Sequence, residues 1–161
     1  MPHAIRNPIR VLSIALLTLF LALPLARGET LPEVIQATQP NMVKIYGAGG
    51  YRGLEAYQSC FLISESGHVL TVWSYVLDTD ALNVTLNDGR KFTAEIVGHD
   101  PRLEIAVLKI DSQDLPHFDL SAAVKLGVAS RVLAFSNLYN VATGNEPVSV
   151  LKGIVSAKTN L

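Results

Sequence analysis

A chain of 161 residues has room for one compact domain, or for two only if both are small. Thirteen Lys and Arg stand against 14 Asp and Glu, a formal charge of -1, so no basic face marks the chain for nucleic acid or anionic lipid. With 49% hydrophobic and 17% charged residues intrinsic disorder is excluded, and the single cysteine, Cys60, excludes an internal disulfide and a structural zinc module.

Arg6 and Arg10 precede an apolar run over residues 11–25 that ends in Ala26-Arg27-Gly28. Small residues at both ends of that tripeptide suit a signal peptidase, so residues 1–28 are expected to be a secretory signal peptide cut after Gly28. The run is interrupted by Ser13, Thr18 and Pro24 and falls short of the ~20 residues a membrane span needs, so no span is expected once the signal is removed. Loss of Arg6, Arg10 and Arg27 lowers the basic count from 13 to 10 against 14 acidic residues, leaving an exported segment of charge -4. The expected location is periplasmic or extracellular.

Beyond Glu29, Leu31, Val34, Ile35 and Thr38 share one helical face, and Pro40 stops that helix. The remaining apolar runs are strand-sized: residues 42–46, 59–64, 68–71, 82–86, 91–98, 105–110, 131–136 and 148–157. Residues 83–86 alternate, Asn87-Asp88-Gly89 supplies residues that tolerate positive φ, and residues 91–97 alternate back, which is a hairpin. Six strands lie before Asp111 and two follow a long connection. The first group can close a small barrel; the second cannot.

No cofactor or metal motif is found. Gly47-Ala48-Gly49-Gly50 follows a strand, but Arg52 stands where a dinucleotide fingerprint needs its third glycine. Asp78-Thr79-Asp80 begins like a calcium loop, yet Leu82 occupies the third ligand position. Asn83-Val84-Thr85 fits a glycosylation sequon, which carries weight only in a host that modifies exported proteins.

The stretches beginning at Pro32, Gln58 and Val84, then Val97-Gly-His-Asp-Pro-Arg-Leu-Glu-Ile-Ala-Val-Leu-Lys-Ile, then Arg131-Val-Leu-Ala-Phe-Ser-Asn-Leu and Gly153-Ile-Val-Ser-Ala resemble the amino-terminal half of the HtrA/DegP-type trypsin-like serine proteases. The resemblance implies an all-β, chymotrypsin-like fold: a six-stranded barrel with its short helix over residues 29–111, a connection over 112–130 and the first strands of an incomplete second barrel over 131–161. It also implies an active site in the cleft between barrels.

The family's catalytic histidine follows a strand ending Thr-Asn-Asn-His-Val-Val. Here that stretch reads Thr71-Val72-Trp73-Ser74-Tyr75-Val76, which puts Ser74 in the histidine's place. A hydroxyl has no accessible basic state near neutral pH, so a general base is missing. The family's aspartate aligns with Glu104, which keeps the charge with one more methylene. The nucleophile belongs to a Gly-Asn-Ser-Gly-Gly type loop that the sequence does not reach, and Ser136, Ser149 and Ser156 lack the glycine neighbours of an exposed elbow. His68 and His99 are read as turn residues and His117 as part of the connection. Cys60 is read as a small core residue. No catalytic residue is therefore expected intact, and no cofactor or metal. The expected function is that of a pseudoprotease whose partner is an unfolded polypeptide or another protein chain, with no nucleic acid. The alternative is an active HtrA-family endopeptidase whose remaining catalytic residues lie beyond this chain.

Overall fold

The computed structural model describes residues 28–48 and 56–159; the expected signal segment and Gly49-Gly50 lie outside the described residues. The chain divides into two units, Met1–Thr30 and Leu31–Leu161, and only Gly28, Glu29 and Thr30 of the first are described. Among the described residues no helix is long and apolar enough to cross a membrane.

The second unit opens with α1 (Leu31–Thr38), whose Val34 and Ile35 are half-buried, and a 3₁₀ turn over Gln39–Asn41. Pro40 fits this turn because its missing N–H falls where a helix start has no acceptor to offer. Six strands follow: β1 (Met42–Tyr46), β2 (Tyr57–Leu62), β3 (His68–Val72), β4 (Leu82–Leu86), β5 (Lys91–Asp100) and β6 (Ile105–Ile110). They close as an antiparallel barrel in the order β1-β2-β3-β6-β5-β4, β1 pairing with both β2 and β4. Alternation sends Val43 and Ile45 of β1, Val69 of β3, Val84 of β4 and Leu108 of β6 to the interior, each almost wholly buried. Burial of such a side chain contributes about 1.5–3 kcal/mol.

The β4–β5 hairpin forms as its pattern predicts. Gly89 has φ of 88°, donates to Leu86 O at 3.0 Å, and lets Leu86 N reach Arg90 O at 2.9 Å. β5 runs two residues past the expected strand of residues 91–98, because a register shift between Ile96 and Gly98 absorbs Val97 and lets His99 and Asp100 resume pairing with Ala106 and Ile105. His99 is therefore a strand residue rather than a turn residue. β2 is likewise shifted toward Tyr57, and His68 begins β3, its Nδ1 within 2.8 Å of Ser64 Oγ.

The connection after β6 contains a 3₁₀ turn over Leu120–Ala122 and edges Phe118 against Phe61 at 5.5 Å. Then β7 (Arg131–Ser136) and β8 (Ser149–Ile154) pair as a two-stranded antiparallel sheet. This sheet does not close into a second barrel, in keeping with the chymotrypsin-like expectation of one full barrel and the first strands of another.

Cys60 is fully buried on β2 and donates to Val43 O at 3.2 Å. Burial pushes its thiol pKa well above 9.0. A folded-state pKa raised above the unfolded one gives stability that is fully present below pH 9.0 and is lost as pH climbs from there toward the folded value. Tyr46, also raised by burial, adds the same sign above pH 10.0, whereas Lys44, lowered by burial, adds the opposite sign below 10.5. Urea unfolding should show stability falling above pH 9, with a shallower fall in Cys60→Ala; identical slopes in the two proteins would refute this.

Candidate functional site

The site is built at the mouth of β3. The β3–β6 ladder pairs Val72 with Ile105 and is extended by one further bond, Trp73 N to Glu104 O at 2.9 Å. Glu104 reaches this position with φ of 55°, in the left-handed region, at the end of the Asp100-Pro101-Arg102-Leu103 turn. That turn is shaped by Asp100 Oδ1, which accepts from the amides of Arg102 and Leu103. The Glu104 side chain is exposed, so the structure joins residues 73 and 104 through main chain alone.

Ser74 comes next, in extended conformation, and caps the 3₁₀ turn Tyr75–Leu77: its Oγ accepts from Val76 N at 3.3 Å and its carbonyl from Leu77 N. The hydroxyl proton goes to Gln58 Oε1 at 2.6 Å. Gln58, on β2, returns across the sheet by donating Nε2 to Thr71 Oγ1 at 2.7 Å and to Val72 O at 3.1 Å. An amide oxygen is not a proton acceptor for catalysis near neutral pH, so this arrangement holds Ser74 without activating it. The turn itself is held from the other side, where Ala48 N donates to Val76 O at 2.8 Å and a Cβ on Gly47 would lie 2.0 Å from that same carbonyl.

Two hollows flank this network. One, of about 470 Å³, lies between β2 and the end of β7 and is lined by Tyr57, Gln58, Ser59, Val72, Ser136, Asn137, Leu138 and Tyr139. The other, of about 450 Å³, includes Trp73, Ser74, Tyr75, Asp78 and Asp80 in its walls. The Ser74–Gln58 hydrogen bond ties a wall of one to a wall of the other. Beside the second, the Trp73 and His99 rings stack with centroids 4.1 Å apart and planes inclined by 11°.

The far wall of the first hollow is fixed by Asn137. Its amide donates to Ser59 Oγ at 2.7 Å, and its side chain closes residues 137–142 into a loop, donating Nδ2 to Ala142 O and accepting from Ala142 N, each at 2.9 Å. Inside that loop Tyr139 and Asn140 both have positive φ, and Tyr139 is 86% exposed.

Of the residues singled out in the sequence, the structure brings Trp73, next to Ser74, to the backbone of Glu104 and leaves His68 at the start of β3 and His117 in the connection after β6. His99, on β5 with β6 between it and β3, stacks on Trp73. Among the described residues no group of three or more His, Cys, Asp or Glu is placed to hold a metal. Gln58, on β2, and Asn137, just past the end of β7, are not singled out by the sequence pattern.

The trypsin-like peptidase domain family matches residues 58–160. A protein of Pseudomonas putida named "Probable periplasmic serine endoprotease DegP-like" is 36% identical over 126 residues, covering 78% of this chain and 25% of its own length. A Chlamydia trachomatis protein of the same name is 36% identical over 98 residues, 61% of this chain and 19% of its own. The chain thus spans about a quarter or less of the length of these curated relatives. A crystal structure of the serine endoprotease from Yersinia pestis superposes with a TM-score of 0.68 at 27% identity, covering 81% of this chain and 46% of that one. With its closed six-stranded barrel, the Ser74 mouth and this match over most of its length, the chain belongs to the trypsin-like peptidase domain family, in its HtrA/DegP-like branch.

Proposed function

We propose that this chain is a catalytically silent peptidase domain that holds polypeptide in the cleft beside Gln58 and does not cut it. The observation that carries the reading is the bonding of Ser74: at the position the family resemblance assigns to the general base, a hydroxyl donates to the Gln58 amide oxygen and caps a 3₁₀ turn. Glu104, at the position assigned to the histidine's partner, is exposed and meets this network through its main chain.

The hollow lined by Tyr57, Val72, Leu138 and Tyr139 supports the binding half of the reading, since it offers aromatic and aliphatic walls with polar groups at Ser59 and Ser136. The relatives are named periplasmic endoproteases, and with the Arg6, Arg10 and residues 11–25 pattern this supports export to the periplasm. The second reading, an active endopeptidase completed by residues outside this chain, is favoured by the relatives' greater length.

The test is retention without cleavage. Immobilised chain should retain an unfolded, reduced protein and release it intact, with retention reduced in Tyr139→Ala. Fragments that a serine-directed inhibitor suppresses would overturn the silent reading; equal retention by the Tyr139→Ala chain would overturn the cleft assignment.

A further inference from the structure

The outer face of β1 carries a polar arrangement that the cleft does not use. With Val43 and Ile45 inside the barrel, Met42, Lys44 and Tyr46 alternate outward, yet Lys44 is 1% exposed. What covers it is residues 142–148, the segment leading into β8, which bends over residues 143–145. Tyr46 Oη donates to Ala142 O at 2.9 Å. Lys44 Nζ donates to Gly144 O at 2.5 Å and to Glu146 O at 3.0 Å. Gln39 Nε2 donates to Val148 O at 2.8 Å, and Gln39 Oε1 accepts from Val148 N at 3.1 Å.

The captured carbonyls thus fall on alternate residues, 142, 144, 146 and 148. Three side chains do what a neighbouring strand's backbone would do. The segment contributes little through its own side chains: Ala142 and Val148 are buried at its two ends, while Thr143, Asn145, Glu146 and Pro147 are exposed. Glu146 serves the segment's own shape, accepting from Gly144 N at 2.6 Å. Lys44 is the central element. Its ammonium has two carbonyls as partners, so removing it takes the side-chain donor from both at once.

We propose that Gln39, Lys44 and Tyr46 form a cradle that recognises main chain by its carbonyls, that its occupant is residues 142–148 of this chain, and that this contact locks the β7–β8 sheet to the barrel. Lys44 and Gln39 are positioning residues: through the strap they set Asn137 against Ser59 and hence the wall of the neighbouring hollow. The contact is indifferent to which side chains the strap carries between its buried ends. This inference stands whether or not polypeptide enters the cleft.

Hydrogen exchange on the full chain tests it, read at the amides of Asn137, Ala142 and Val148 and across the β7–β8 ladder, with the β4–β5 ladder as internal reference. Lys44→Met, which keeps the apolar stem and removes the donor, should speed exchange at those sites about tenfold or more while the reference ladder is unchanged. Gln39→Glu, which keeps the acceptor for Val148 N and loses the donor to Val148 O, should act in the same direction and serves if Lys44→Met does not fold. The double variant Thr143→Ala, Asn145→Ala should exchange as the parent does. Unchanged exchange in Gln39→Glu and Lys44→Met, or loosening by the strap double variant equal to theirs, would overturn the proposal.

Discussion

Substituting Ser74→His in this chain should leave peptide-bond turnover at the uncatalysed background, with no labelling of either form by a fluorophosphonate. Removal of the histidine from a serine-protease triad costs ~10⁶ in turnover, and restoring it is useful only if a nucleophile and oxyanion donors await it. No Gly-x-Ser-Gly-Gly sequence occurs among the 161 residues, and among the described residues the serines beside the cleft, Ser59 and Ser136, lie 3.3 Å apart, bonded to one another at the β2–β7 contact. The new imidazole also displaces a working capping group. Val76 N loses its acceptor and Gln58 Oε1 its donor, which should lower stability by about 1 kcal/mol. Turnover by the Ser74→His chain that a serine inhibitor abolishes would show that some other hydroxyl here is poised for attack.

A larger structural effect is expected at Gly67, at the turn between β2 and β3. Its φ is 89°, and a Cβ there would lie 2.5 Å from Ile110 O, a backbone atom that cannot swing aside. Gly67 cannot simply retreat, because its own carbonyl accepts from Ile110 N at 3.0 Å and so closes the end of β6 against the turn. Gly67→Ala therefore combines left-handed strain with overpacking and should cost about 2–4 kcal/mol. Gly98, around which nothing lies within 4 Å of an added Cβ, is the control; Gly98→Ala should stay within about 0.5 kcal/mol of the parent. Urea midpoints that move equally for the two variants would refute the argument.

These two positions show what could be read in advance. The barrel strands were legible because one face of each is apolar and the turns carry residues such as Asn87-Asp88-Gly89, so the local pattern and the final burial agree. The end of β5 was not, since the shift at Val97 restarts the alternation and puts His99 back into the ladder, where a simple count places it in a turn. Ser74 could be picked out by its place in a family pattern, but its bond to Gln58 could not, because residues 16 apart meet only once β2 and β3 pair. Lys44 is the clearest case. A lysine inside Met42-Val43-Lys44-Ile45 reads as a solvent-facing strand residue, and it does point away from the core; the segment that buries it comes a hundred residues later.

The stack of Trp73 on His99 gives the molecule an optical reporter of its own. Trp73 is the sole tryptophan of the chain, so ultraviolet emission from indole has one origin, adjacent in sequence to Ser74 and in the wall of the hollow that contains it. The His99 imidazole lies 4.1 Å from that ring and stacked on it, a contact quencher of its emission. Anything that slides into the hollow or parts the two rings therefore alters colour and brightness at once. An unlabelled solution of this protein can thus be watched in a fluorimeter, with His99→Ala supplying the unquenched reference.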